Sequence, residues 1–382
     1  MSEGYPSVLL LGDTLNFGGT EGQFVEVACG LAAAGWPVDV ACMRAEGPLR
    51  ARLERAGLAP WSYGPGSLKS PQAIGAVRGL ARHLRARRVR IVHCFDFYSN
   101  LLGVAAGRLA RVPVVIASQR DLGNLRPWHQ QRLHTAMLGM ATHVLVNSEA
   151  IAERLERTRA ARAGRVSVIL NGVDLARFAP ADRAVSQPGA PVVVTLANLR
   201  PEKGLHQLVD AAHLVRQRLP AVRFEIWGEG VLRPALEEQV RRKALTETVR
   251  FQGTTREPQD VLRRCDVFVL PSLSEACSNV LMEALATGLP VVATRVGGNP
   301  GLVEDGRSGL LVPPGNPAAL AEAIVQILQD QVVAARLAVG ARARAVDQFA
   351  MSRMLERLQS FYRRVLGPIL PATADAGLAS RP

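Results

Sequence analysis

The sequence predicts an α/β protein of two doubly wound, Rossmann-like domains, and three observations carry that prediction. The chain has 382 residues, too many for one ordinary core and suited to two domains of common size. Short β-branched runs alternate with amphipathic helical patterns, which is how parallel βαβ units read. The alternation breaks at a Pro- and Gly-bearing stretch, 174–190, and then restarts, as two domains joined by a linker would do.

The first strand is expected at 7–12, ending in a loop over 13–19. Thr20 with Gln23 three positions on reads as a capping box that starts a helix near Glu21. Along that helix, 20–34, Phe24, Val27, Ala28 and Leu31 recur at i, i+3, i+4 and i+7, one apolar face. Strands follow at 37–43, 89–94, 112–118, 143–147 and 166–170, with helices 70–87 and 148–157 among those between them. This first domain covers 1–180. The second, 190–346, reads strand 191–197, helix 204–218, strand 223–227, helix 233–244, strand 249–253, helix 258–264, strand 267–271, helix 279–287 and strand 290–294. A last helix, 351–366, is expected either to cap the second sheet or to cross back and pack on the first domain. The tail 367–382 is small and Pro-containing and is expected to be mobile.

Composition narrows the function classes. A hydrophobic fraction of 48% with mean hydropathy +0.09 is that of a folded globular chain. No apolar run reaches the roughly 18 residues of a membrane span. The first six residues carry Glu3 and no basic region, so a secretory signal is not expected and the cytoplasm is the expected location. Five cysteines, odd in number and without a CxxC, argue against a disulfide framework or a zinc site. Cys29, Cys94 and Cys265 sit in apolar patterns as small hydrophobes. The 46 Lys and Arg against 33 Asp and Glu leave +13, which suits phosphates or anionic lipid headgroups, although part of the arginine reads as compositional habit. Nucleic acid rests on charge alone, without an aromatic-bearing motif, and is not an expected partner.

Three segments carry chemistry. Gly18-Gly19, ahead of the first helix, lets backbone N–H groups approach an anion where the helix dipole also favours negative charge. The spacing is not GxGxxG, which counts against a nicotinamide or flavin cofactor, and a tight turn without ligand is an equal reading of this loop. Asn198-Leu199-Arg200-Pro201-Glu202-Lys203-Gly204 begins where strand 191–197 ends, the usual ligand edge of a parallel sheet. Arg200 and Lys203 suit a diphosphate there, a solvated charged turn being the alternative. The third segment is Ser272 to Val292, in which Ser278 caps the helix 279–287, Glu275 lies in the loop ahead of it and Glu283 inside it. Five helical residues set these carboxylates roughly 7–10 Å apart along the axis, suited to gripping two ends of one ligand and too far for a shared-proton dyad. The amides near Ser278, Asn279 and Val280 offer a second anion site.

The pattern S-x-x-E-x-x-x-x-V-L-x-E-A-x-A-x-G-x-P-V-V, with its Glu275/Glu283 pair, resembles the signature of the retaining glycosyltransferases of group 1, or family 4, which have the GT-B fold. Agreement continues in order at Gly18-Gly19-Thr20-Glu21, Val146-Asn147-Ser148-Glu149, Asn171-Gly172-Val173-Asp174, Gly228-Glu229-Gly230, Gly253, Gly297-Gly298 and Gly309 to Pro313, covering about 7 to 365. The resemblance implies a nucleotide diphosphate sugar as co-substrate, UDP- or GDP-linked, and no cofactor. It implies that Glu283 binds the donor ribose, that Glu275 contacts the donor sugar, and that Lys203 holds the diphosphate with the amides of Gly18 and Gly19. Asn198, Gly228 and Gly253 join the donor site. It further implies retention of anomeric configuration by same-face substitution, the leaving diphosphate taking the acceptor's proton. No divalent metal is implied, cations and helix N-termini doing the neutralising.

Two positions depart from the family pattern. Ala197-Asn198-Leu199 stands where many relatives have Gly-Arg-Leu, so Arg200 is assigned the missing phosphate contact. Arg120 stands near the place of a frequent histidine and is assigned to phosphate or an acidic acceptor, a salt bridge to Asp121 being the other reading. Cys277 reads as a space-filler by the sugar pocket. His93 is either a cleft-facing acceptor residue or a structural one. The arginines of 78–90 fit peripheral contact with an anionic membrane, or a plain solvated face. A saccharide or lipid-linked acceptor is expected, in cell-surface polysaccharide or glycoconjugate synthesis. The alternatives are a nucleotide-sugar epimerase on the same fold or a non-catalytic nucleotide-sugar-binding protein.

Overall fold

The structure, a computed structural model, describes residues 5–65, 70–123, 126–161, 164–181 and 189–367. Part of the expected linker, 182–188, and the tail from 368 on lie outside the described residues.

Seven parallel strands form the first sheet: β1 Val8–Gly12, β2 Val38–Cys42, β3 Trp61–Ser62, β4 Ile91–Cys94, β5 Val114–Gln119, β6 His143–Val146 and β7 Val166–Val168. Their order is β3-β2-β1-β4-β5-β6-β7. Six more form the second: β8 Val192–Leu196, β9 Arg223–Trp227, β10 Val249–Gly253, β11 Val267–Leu270, β12 Val291–Thr294 and β13 Leu310–Val312, in the order β10-β9-β8-β11-β12-β13. The doubly wound, two-domain class expected from the alternation is the one observed. The two strands that periodicity did not anticipate, β3 and β13, are edge strands of two and three residues, too brief to show a period.

The strands are apolar on both faces because helices cover both. In the first sheet, Leu9 and Leu11 of β1 face one core with Leu80, Leu102 and Leu138 from the helices Gln72–Ala86, Phe97–Ala110 and Trp128–Met140. Val8 and Leu10 face the opposite core, filled by Phe24, Val27, Ala28 and Leu31 of the helix Gly19–Ala33. That second core also holds Met354, Leu358, Phe361 and Tyr362 of the helix Met351–Leu366, which crosses back to the first sheet. Trp36 Nε1 donates to Gln359 Oε1 at 3.2 Å across this contact. The second domain repeats the scheme, Val193 and Val194 of β8 facing two separate cores.

Both sheets reverse direction at one place, between β1 and β4 in the first and between β8 and β11 in the second. Loops leaving the carboxyl ends of strands at such a switch point diverge and leave a crevice. The loops after β1, β8 and β11 are the three segments singled out above.

Candidate active site at the facing switch points

The loop after β1 delivers Gly18 and Gly19. The helix begins at Gly19 with Gly18 as N-cap, extended at φ −169° and ψ 161°, and no side chain caps it. The expected Thr20/Gln23 capping box is therefore not formed. Gln23 spends its amide elsewhere: Nε2 donates to Gly172 O at 2.8 Å and Oε1 accepts from Gly172 N at 3.0 Å. Two buried backbone groups at the domain seam are satisfied by one side chain, a stronger demand than an N-cap open to solvent.

The loop after β8 turns through the short 3-10 helix Pro201–Lys203. Gly204 ends it at φ +63°, where a Cβ would meet Pro271 O at 2.1 Å, so only glycine lets this turn lie on the end of β11. The turn directs Lys203 inward, and its Nζ pairs with Glu275 Oε2 at 2.6 Å; Ser272 Oγ donates to the same oxygen at 3.2 Å. Arg200, at the other end of the turn, stays exposed and outside the cleft lining.

The loop after β11 leads into the helix Asn279–Ala286, with Ser278 Oγ accepting from Leu281 N at 3.3 Å as the expected cap. Its first turn opens onto the cleft opposite the start of the helix Gly19–Ala33, and Asn279 Nδ2 donates to Gly19 O at 3.0 Å across the gap. Two helix N-termini, each with amides that no intrahelical carbonyl can take, thus meet face to face. Glu283 is half-buried on this helix. Burial pushes its carboxyl up to about 7, Arg177 being the cation that opposes the shift.

Together these segments line a cleft of two joined lobes, about 470 Å³ and 690 Å³. The first lobe brings together ten of the expected residues: Gly18, Gly19, Asn198, Lys203, Gly228, Glu275, Ser278, Asn279, Val280 and Glu283. Gly253 is not among the lining; its carbonyl instead accepts the N–H of Gly228 at 2.6 Å. Phe17, Trp227, Thr254, Thr255 and Pro258 also line it and were not anticipated. Trp227, closing a strand at the ligand edge, was the one with a readable signal.

Three side chains point elsewhere than expected or left open. Arg120 lies beside the cleft and not in its lining: Nη1 donates to Asn171 Oδ1 at 2.9 Å, and the guanidinium sits 4.6 Å from the Phe95 ring centroid. Its expected alternative partner, Asp121, pairs with Arg126 at 2.5 Å. His93 is fully buried between Tyr362 Oη, 2.6 Å from Nδ1, and Ser118 Oγ, 2.9 Å from Nε2, so it is a structural histidine. Cys277 lines the cleft with its thiol pushed up to about 12 by burial, a space-filler with no thiolate chemistry at neutral pH. Among the described residues no group of three or more His, Cys, Asp or Glu stands close enough to hold a metal ion.

Two doubly wound lobes with their switch points facing across one cleft define the GT-B architecture. Residues 17–177 match the model of glycosyltransferase family 4, and residues 190–330 that of glycosyl transferases group 1. The chain belongs to this group 1, family 4 glycosyltransferase family. It is 33% identical to the putative colanic acid biosynthesis glycosyltransferase WcaL of Escherichia coli (strain K12), over 60% of this chain and 57% of WcaL, so the match spans little more than half that relative's length. Identity to the alpha-maltose-1-phosphate synthase of Mycolicibacterium smegmatis is 29%, over 73% of this chain and 80% of that enzyme. Among solved structures, HepE of Anabaena in complex with UDP and glucose superposes with TM-score 0.79 at 25% identity, over 93% of this chain and 98% of HepE.

Proposed function

We propose that the chain transfers a sugar from a nucleotide diphosphate sugar to a hydroxyl of a saccharide or lipid-linked acceptor, with retention and without a divalent metal. The observation that carries this reading is the Lys203–Glu275 pair set between two facing helix N-termini, with Glu283 one turn further along. A diphosphate joined to a sugar places an anion and a hydroxyl-rich ring side by side. A lysine and a glutamate held 2.6 Å apart match that junction, the ammonium toward phosphate and the carboxylate toward sugar hydroxyls. Glu283 takes the ribose hydroxyls, and the amides around Gly18, Gly19, Asn279 and Val280 take the remaining phosphate oxygens. The complexes of HepE with UDP and glucose support a donor of this class.

In the reaction, the bond from anomeric carbon to the leaving phosphate oxygen breaks while the acceptor oxygen bonds to the same face of that carbon. The acceptor proton passes to the leaving phosphate oxygen, so no protein nucleophile is consumed. Lys203 and the two helix N-termini stabilise the charge growing on the diphosphate. Closure of the lobes keeps water from competing with the acceptor.

Donor binding by calorimetry with UDP- and GDP-sugars, and release of UDP or GDP on adding acceptor saccharides or lipid-linked saccharides, test the reading. Lys203→Ala is expected to lower kcat/KM by about a hundredfold or more, as for loss of one charge-stabilising donor, while Arg200→Ala stays near the parent. Unaltered turnover in Lys203→Ala would sink the assignment. Tight donor binding without turnover across all acceptors would favour the non-catalytic reading, and acceptor-independent sugar interconversion the epimerase.

A lipid-linked acceptor fits a second feature. The helices Gln72–Ala86, Phe97–Ala110 and Trp128–Met140, adjacent on one face of the first sheet, contain no Asp or Glu. They carry arginines at 78, 82, 85, 108 and 132 and expose Ile74, Tyr98, Leu109, Trp128, Leu133 and Met140, Trp128 at 71%. Cationic charge beside exposed aromatic and aliphatic groups suits peripheral contact with an anionic bilayer, on the cytoplasmic side where such donors are made. No single described helix is long and apolar enough to cross a membrane.

A further inference from the structure

We propose that Asn171 is a positioning residue that latches the two domains, holding Asn279 and the helix it begins against Gly19. Only the activity readout of its test rests on the glycosyl-transfer reading.

Asn171 follows β7 on the connector that leaves the first domain, and it lines neither lobe of the cleft. It is 5% exposed. Its Nδ2 donates to Asn279 Oδ1 at 2.7 Å, and Asn279 Nδ2 donates to Gly19 O at 3.0 Å. On its other side Asn171 Oδ1 accepts from Arg120 Nη1 at 2.9 Å and from Asn147 Nδ2 at 3.4 Å. One chain of hydrogen bonds therefore runs from the end of β5 through the connector to the second-domain helix and back to the first domain at the cleft.

The polarity of this chain is fixed from both ends. A guanidinium has only donors, so the amide oxygen of Asn171 must face Arg120 and its NH₂ must face Asn279. Asn279 must then turn its oxygen toward Asn171, which leaves its NH₂ for the one group a carbonyl can accept, at Gly19. No amide in the chain can flip without breaking a bond. This gives the half-buried Arg120 a use: it sets the direction of the relay, and the Phe95 ring and Asn171 oxygen are the partners that hold it.

The latch stands on the pivot between the domains. Gln23 holds both backbone groups of Gly172. Val173 N donates to Phe349 O at 2.7 Å and Met351 N to Val173 O at 2.9 Å, joining the outgoing connector to the returning one. Asn171 is thus anchored where the two crossings meet, while Asn279 belongs to the lobe that a hinge there would swing. The gap between the facing helix N-termini, where the diphosphate is proposed to bind, is set by this bond.

The test uses the full chain and the variants Asn171→Ala, Asn171→Asp, Asn279→Ala and the Asn171→Ala/Asn279→Ala double. Asn171→Asp keeps the size but removes the donor toward Asn279. Small-angle scattering without ligand is expected to show a larger radius of gyration in every variant, with unfolding midpoints close to the parent. Turnover is expected to fall about 10- to 100-fold in Asn171→Ala, with UDP or GDP affinity within about threefold, since misplacement costs rate more than binding. In the Asn279→Ala background, Asn171→Ala is expected to add nothing. Independent, multiplying losses, or a parental radius in Asn171→Ala and Asn171→Asp, would overturn the latch. A parent chain without turnover on any donor defeats the transferase reading and leaves the scattering result to decide the latch alone.

Discussion

Glu283 shows what one side chain's surroundings can do to its chemistry. Its carboxyl is pushed up to about 7 by burial, against the pull of Arg177. On the proposed reading Glu283 accepts from the ribose hydroxyls, and its ionised form, the stronger acceptor, is then the one that binds donor. Nucleotide affinity is expected to rise about tenfold between pH 6 and pH 8 as the carboxyl ionises, and calorimetry of Glu283→Gln over that range should be flat. Stability runs the opposite way. The native state holds this proton more tightly than the unfolded chain, so the contribution is complete below the ordinary carboxylate range and is lost as pH rises through about 7. The same affinity slope in Glu283→Gln would move the titration to another group, Asp96 included, whose carboxyl burial also pushes up to about 7. Around Glu283 the residues legible in sequence were those whose backbone position already faces the ligand edge.

At the scale of elements, the loop after β12 is the unobtrusive support of the site. Gly298 N donates to Glu275 O at 3.0 Å, and a Cβ on Gly297, at φ +48°, would meet Glu275 O at 1.7 Å. The Gly297-Gly298 step is thus the bed on which the Glu275 loop rests, and with it the pairing to Lys203. Gly297→Ala is expected to lower turnover by more than about tenfold through displacement of Glu275, while donor affinity, which the proposed function assigns to Glu283, changes less. Backbone strain of this kind costs about 1–3 kcal/mol, readable as a lower denaturant midpoint. Parental turnover in this variant would mean the loops move independently. The sequence shows the glycine pair but not its role, because the contact joins loops from two different strands.

At the scale of the whole molecule, one group of neighbouring helices carries charge of a single sign. Cations without carboxylates gather on three helices of the first domain, beside exposed Trp128 and Leu133, and the other face of that sheet is covered by the returning helix Met351–Leu366. Flotation with vesicles containing anionic phospholipid is expected to capture the chain, with capture falling steeply as salt rises. Trp128→Ser and the Arg78→Glu/Arg82→Glu pair should each weaken capture while leaving turnover on soluble acceptors unchanged. Equal capture by zwitterionic vesicles, or none by either, would remove the membrane from the account.

What the sequence by itself determined is local. Alternating patterns specify the parallel strands and helices. Gly18-Gly19, Lys203-Gly204 and the Ser278 cap lie at strand ends whose geometry only certain residues tolerate. These signals need no distant partner, and the structure places Lys203, Glu275 and Glu283 on one cleft as the pattern implied. The direction of long polar side chains was decided only by tertiary structure. Gln23 caps a connector 149 residues away, Arg120 reaches Asn171 at a separation of 51, and His93 meets Tyr362 at 269. Gln23 and His93 are buried and Arg120 half-buried, and a donor or acceptor withdrawn from water goes to whichever partner the packed fold brings within reach, which local sequence does not encode.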